Sequence, residues 1–243
     1  MRIHICNPNT TASMTTKIAA AARAIASTGV EIIATQPEMG PASIEGYYDE
    51  AFAIPGLLQN IRAAEAEGAL AHIIACFDDT GLDAARCLAT SPVLGIGEAG
   101  FHAASFIAGK FSVVTTLGRS IPIIEHNLGR YGLASRCAKV RAAEVPVLAL
   151  EQKNSGACLR ISDEIELAKS EDRAEAIVLG CAGMADLAAE LAQKHGLPVI
   201  DGVAAAVAFA ESLVRLGLHT AKLGGYASPR AKPYTGLFAG FAP

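Results

Sequence analysis

Two of the chain's six cysteines share a setting that the others lack. Ala71-His72-Ile73-Ile74-Ala75-Cys76 is a short apolar run that ends on Cys76 and leads into a helical stretch near Thr80. Glu175-Ala176-Ile177-Val178-Leu179-Gly180-Cys181 repeats the layout, with its helical stretch starting near Met184. A Pro-Val step follows each unit, at Pro92-Val93 and Pro198-Val199. A thiol at a helix start meets unpaired N–H groups and the positive end of the helix dipole, which favour thiolate. Two such thiols across a carbon acid suit one chemistry. One thiolate removes a proton, and the opposite thiol returns a proton to the other face. Such a base works best with a pKa near the operating pH. The carbanion also needs fixed donors at the oxygen that takes up its charge. Cys6 falls inside a strand run and Cys87 inside a helical one. Cys137 and Cys158 fall near helix starts or loops without matching partners. These four read as buried structural thiols.

The elements that must carry Cys76 and Cys181 alternate. Apolar strand runs are expected over residues 3–6, 30–35, 72–76, 93–96, 111–115, 139–142, 176–180 and 199–200. Helical spacing occupies 14–26, 54–67, 82–89, 121–131, 161–169, 184–195 and 204–216. Strands alternating with helices, and apolar without a period of two, predict parallel sheets covered on both faces. The fold class is therefore α/β, with two similar lobes, each a mostly parallel sheet flanked by helices. Residues 1–98 with 208–243 form the lobe carrying Cys76, and residues 99–207 the lobe carrying Cys181; the break falls around 98–110. Ligands of open α/β sheets bind beyond the carboxyl ends of the strands, so both thiols are expected at the cleft between the lobes.

Composition narrows the class. Over 243 residues, 51% are hydrophobic, enough for a sizeable core without disulfide staples. A net charge of −4 with mixed signs offers no basic surface, so nucleic acid is not an expected partner. No apolar run reaches the ~20 residues needed to span a bilayer. Met1 leads directly into a strand run without the layout of a signal peptide. A cytoplasmic protein without membrane contact is the expectation. No paired Cys/His spacing suggests a metal site.

Several further segments complete a pattern: Asn7-Pro8-Asn9-Thr10-Thr11, Pro41-Ala42-Ser43-Ile44-Glu45-Gly46, Ala75-Cys76-Phe77-Asp78-Asp79, Ser112-Val113-Val114-Thr115-Thr116 and Leu179-Gly180-Cys181-Ala182-Gly183-Met184. With these, nearly the whole chain resembles the hydantoin racemase family of the aspartate/glutamate racemase superfamily. The resemblance implies a two-lobed fold, no cofactor, a homo-oligomer (tetramer or hexamer), and Cys76 and Cys181 as the paired acid/base residues. It departs from the amino-acid racemases, which carry Asp-Ser in the first loop, Cys-Asn-Thr at the first cysteine and Cys-Thr at the second. The groups that would hold an ammonium and a carboxylate are largely missing here.

A neutral cyclic substrate suits the residues that remain. A hydantoin ring offers two N–H donors and two carbonyl acceptors. Asn9, Thr115 and Thr116 can donate to the carbonyls, and Asp78 can accept a ring N–H. N–H groups in the turn Cys181-Ala182-Gly183 can face the oxygen charged by enolisation. Ile44 and Tyr47, in a loop over the cleft, can touch the C5 substituent, and Phe77 lies beside the first thiol. Each of these residues also has an ordinary role. Asn-Pro-Asn-Thr makes a turn and helix cap, Thr115 and Thr116 suit a strand, Asp78 and Asp79 suit a helix cap, and Ile44 and Tyr47 suit packing. The expected activity is racemisation of 5-monosubstituted hydantoins. Allantoin racemisation is the nearest alternative, and decarboxylation of an activated malonate the next. The histidines read as structural or solvated, and the Gly/Pro-rich tail from Gly224 as a closing or contact segment.

Overall fold

The computed structural model describes residues 1–152 and 154–243. Eight strands form two sheets of four, and every pairing is parallel. The first sheet holds β1 (Arg2–Cys6), β2 (Glu31–Thr35), β3 (Ala71–Ile74) and β4 (Val93–Gly95), in the order β2-β1-β3-β4. The second holds β5 (Phe111–Thr115), β6 (Cys137–Ala142), β7 (Ala176–Gly180) and β8 (Val199–Asp201), in the order β6-β5-β7-β8. The two orders are the same permutation, so β3 and β7, the strands that lead to Cys76 and Cys181, hold matching places. Parallel strands need crossovers, and the helices supply them: α1 (Ala12–Ile25), α2 (Tyr47–Ala66), α3 (Leu82–Leu88), α4 (Ile96–Ile107), α5 (Ile121–Arg130), α6 (Ala157–Ser170), α7 (Ala188–His195) and α8 (Gly202–Arg215). β3, β5 and β7 are buried along their whole length, which explains their unbroken apolar sequence.

The lobes meet through α4 and α8. α8 packs on α4 and α1 and on β3 of the first sheet, and α4 packs on β7 of the second. Glycines allow this approach: a Cβ on Gly202 would stand 2.3 Å from the Ile96 carbonyl oxygen, and one on Gly100 2.9 Å from Val178 Cγ1. The result is one continuous apolar core that runs from Ile3 and Ile73 through Phe101 and Val203 to Val178.

Three boundaries differ from expectation. Residues 98–110 read as a break, but α4 fills most of that stretch with Phe101 and Ala104 wholly buried. Its sequence, Ile-Gly-Glu-Ala-Gly-Phe, has two glycines that helix propensity penalises; Gly97 makes room for the Phe77 carbonyl of the Cys76 loop and Gly100 for Val178 of β7. α2 starts at Tyr47 rather than near Pro55, which lies inside the helix. Asp49 and Glu50 in its first turn favour that start, and the Asp49 carboxylate accepts the Glu45 N–H at 3.0 Å. After Cys181 the chain makes a 3-10 turn over Ala182–Leu187 before α7 begins at Ala188.

Candidate active site

Cys76 lies in the loop after β3, and Cys181 directly follows β7. Both line one cavity of about 30 Å³ between the sheets. Asp78 lines the same cavity and acts electrostatically on both sulfurs. Its carboxylate has no hydrogen-bond partner among the described residues.

The two thiols are held by different donors. The Thr80 hydroxyl donates to Cys76 Sγ at 3.4 Å, and the Asp78 N–H faces the same sulfur. The Gly183 N–H faces the Cys181 sulfur. Burial nevertheless pushes the Cys76 thiol well above its ordinary value, and the Asp78 and Glu50 carboxylates push it the same way. Burial also lifts Cys181, to about 12; Asp78 and Glu151 raise it while Lys17 lowers it. The expectation of acidic helix-start thiols is thus corrected. Cys76 sits several residues before α3, and only a 3-10 turn follows Cys181, so little dipole is available against desolvation.

The other expected residues fall into place unevenly. Asn9, Ile44, Phe77, Thr115, Thr116 and Ala182 all line the cavity. Asn9 Oδ1 accepts from Asn7 Nδ2 and from the Thr11 N–H, both at 2.9 Å, which fixes the amide. Its Nδ2 lies 3.2 Å from Met14 Sδ, a weak acceptor that leaves this donor available to a better one. The Thr115 hydroxyl donates to the Gly180 carbonyl at 3.0 Å across the β5–β7 pair. Gly183 lies outside the cavity lining, and its N–H bears on the Cys181 thiol. Tyr47 is exposed at the start of α2 and does not line the cavity.

Burial and the neighbouring Glu50 and Asp79 carboxylates lift Asp78 to about 7. Asp79 turns away and accepts from the Gly97 N–H at 2.9 Å, the Glu98 N–H at 2.8 Å and the Tyr131 hydroxyl at 2.7 Å. It is the cap of α4, not of α3, and it ties the Cys76 loop to the helix joining the lobes. A Cβ on Gly97 would stand 2.3 Å from the Phe77 carbonyl oxygen, so glycine is required at this approach.

Sequence reasoning missed Pro8, Met14, Ser120 and Val147, which also line the cavity. Pro8 lies within a segment already singled out, but Ser120 and Val147 carry no local signal. Val147 opens a 3-10 segment, Val147–Glu151, and its N–H donates to Glu45 Oε1 of the first lobe at 2.8 Å. That bond holds the segment carrying Ile44 down over the cavity. Among the described residues no three His, Cys, Asp or Glu side chains group as metal ligands. Among the same residues no helix is long and apolar enough to cross a membrane.

The fold is a two-lobed parallel α/β architecture with one cysteine beyond the matching strand of each sheet, and comparison with known proteins gives it a family. The model of the Asp/Glu/Hydantoin racemase family matches residues 3–210. A hydantoin racemase of Rhizobium meliloti is 50% identical over 236 residues, covering 97% of this chain and 98% of its own. The solved structure of an allantoin racemase from Klebsiella pneumoniae superposes with a TM-score of 0.97 at 48% identity, over 100% of this chain and 99% of that one. An allantoin racemase from Pseudomonas fluorescens gives 0.93 at 45% identity, over 97% and 100%. The chain belongs to the Asp/Glu/hydantoin racemase family. It is a racemase, an enzyme of the isomerase class.

Proposed function

We propose that this enzyme racemises 5-monosubstituted hydantoins without a cofactor, by proton transfer at C5 between Cys76 and Cys181. The observation that carries the reading is the shared cavity: two thiols on matching strands, with one unpartnered carboxylate acting on both. In one direction a thiolate takes the C5 proton, the C–H electron pair moves onto the C4 oxygen, and the opposite thiol delivers its proton to the other face of C5. The former thiolate is left as a thiol and the donor as a thiolate, so the reverse direction exchanges their roles. Asn9 Nδ2 and the Thr116 hydroxyl are the donors for ring oxygens, and Asp78 accepts a ring N–H. Ile44, Phe77 and Ala182 close the apolar walls.

Allantoin is itself a hydantoin with a ureido group at C5. The identity to solved allantoin racemases supports it as the second substrate reading, with the ring contacts shared. A malonate decarboxylase needs one protonating thiol, and a passive binding protein needs neither. The lobes are read as 1–98 with 208–243, and 99–207. We also infer a cytoplasmic homo-oligomer, a tetramer or hexamer, which the exposed Phe106, Leu223, Leu237 and Phe238 favour.

The test is a panel of pure enantiomers, allantoin beside alkyl and aromatic hydantoins, in deuterium oxide without added cofactor. Loss of optical rotation with deuterium wash-in at C5 is the expected result. Carbon dioxide release from an arylmalonate, or no exchange across the panel, would overturn it.

A further inference from the structure

Helix α1 belongs to the first lobe, yet its Lys17 reaches the second. Lys17 Nζ donates to the Leu150 carbonyl at 3.2 Å and to the Gly183 carbonyl at 3.3 Å. It pairs with Glu151 Oε1 at 3.1 Å, and Asp186 Oδ2 stands at 3.9 Å. Gly183 is the residue whose N–H faces the Cys181 sulfur. It packs against the Leu150 side chain and the Cys181 sulfur, which a Cβ there would meet at 2.9 Å and 3.6 Å. Lys17 therefore clamps both segments that frame this thiol, and it does so from the opposite lobe. The Cys76 side is built differently: the charges acting on that sulfur are the Asp78 and Glu50 carboxylates.

We propose that Lys17 is a positioning residue that makes the thiol pair unequal, holding the Gly183 turn and its own charge beside Cys181 so that Cys181 ionises before Cys76. The proposal rests on the two-thiol reading above and adds which sulfur leads. The charged groups facing Cys181 are Lys17, which favours the thiolate, and Asp78 and Glu151, which oppose it. Asp186 bears on Lys17. A cation beside an anion favours ionisation, and a fixed N–H donor adds to it. The two enantiomers then meet an enzyme that is already biased. The one whose C5–H faces Cys181 finds its base ionised first.

The test is the pH profile of alkylation by iodoacetamide, followed at each cysteine by peptide mapping, without substrate. The midpoint of each profile is read rather than its plateau, so that access to the closed cavity does not enter. Cys181 should have the lower midpoint in the parent. Lys17→Met should raise the Cys181 midpoint by about one pH unit and leave that of Cys76 in place, and Lys17→Arg should restore it. Glu151→Gln removes an opposing charge while leaving Lys17 its two carbonyls, and should lower the Cys181 midpoint. If Lys17→Met fails to fold, the Glu151→Gln result decides. An unmoved Cys181 midpoint in either folded variant, equal shifts at both cysteines, or a lower midpoint for Cys76 in the parent would overturn the proposal. Alkylation needs neither turnover nor a hydantoin, so a failure here is separable from a failure of the substrate reading.

Discussion

A thiol enclosed beside a carboxylate is a poor acid, and both sulfurs of this site are held that way. Racemisation by such a pair should rise with pH through the neutral range, because the thiolate is the base. Cys76→Ser and Cys181→Ser keep the shape of the side chain but remove a base that can ionise, so each should abolish inversion. Each variant still keeps one thiol on one face. The expected outcome is exchange of the C5 hydrogen of one enantiomer only, with the two variants choosing opposite enantiomers. Deuterium exchange on both pure enantiomers, corrected for spontaneous exchange, checks it, and a shared choice would place both sulfurs on one face. Asp78 gives a second prediction. Its folded pKa of about 7 lies above the ordinary 3.8, so the folded state holds the proton more tightly. Stability is therefore lost as pH rises from about 4 to 7, and the cost stays constant above that window. Asp78→Asn should stabilise the protein at pH 8 by about 3–5 kcal/mol, with no gain below pH 4. It should also raise KM and move the rise of racemisation to lower pH, since both thiols lose a negative neighbour. Melting curves at pH 4 and 8 with a pH–rate profile decide. The lining of the cavity was legible where chemistry and position coincide, as at Cys76, Cys181, Asn9 and Thr115. The bond from Thr115 to the Gly180 carbonyl was not, because a strand-end hydroxyl looks the same in sequence whether it faces a cavity or a neighbouring carbonyl. Lys17 was invisible: nothing in a helical run says that one lysine will cross to another lobe.

At the scale of elements, all eight strands among the described residues were legible in the sequence, most cleanly β3, β5 and β7, whose burial on both faces leaves no polar alternation. The helix joining the lobes was not, because its glycines make room for the Cys76 loop and for β7, contacts that only the tertiary structure defines. Register was equally hidden. β1 and β3 pair so that His4 stands opposite His72, and their Nδ1 atoms lie 3.1 Å apart. His72 Nε2 meets Glu65 Oε2 at 2.6 Å and His4 Nε2 meets Thr35 Oγ1 at 2.7 Å. Burial, with the nearby His72, drives His4 down to about 3. The helix crossing makes the sharper prediction. A methyl at position 202 would press on the Ile96 carbonyl oxygen in a core with no room to yield. Gly202→Ala should cost about 2–3 kcal/mol, although alanine is the better helix former by about 1 kcal/mol. Gly129, in α5 with nothing near its Cβ position, is the control: Gly129→Ala should stabilise. Urea denaturation of both variants checks the pair, and a stable Gly202→Ala protein would show that the crossing is looser than drawn.

Across the whole molecule the two lobes are joined unequally. On one side α4 and α8 share a continuous core. On the other, the contacts are polar: Glu45 to the Val147 N–H, and Lys17 to Leu150, Glu151 and Gly183. The cavity between them, at about 30 Å³, has room for about two waters. The ring atoms of a hydantoin with their two carbonyl oxygens outnumber that several-fold. Substrate admission is therefore expected to widen the cleft, with the polar side the one to give. Parting it exposes groups that water can satisfy, whereas parting α4 from α8 would expose apolar core. Glu45→Gln weakens the clasp by removing a charge from its acceptor while keeping its shape. It should raise KM several-fold and leave kcat within about twofold, because the chemical groups are untouched. Hydrogen–deuterium exchange then separates the two sides. The Val147 amide and residues 41–46 should exchange quickly without ligand and become protected when a slowly turned-over hydantoin binds. Amides of α4 and α8 should stay protected throughout. If ligand leaves the Val147 amide unchanged, or if α4 and α8 open as readily as the clasp, the cleft does not open on its polar side.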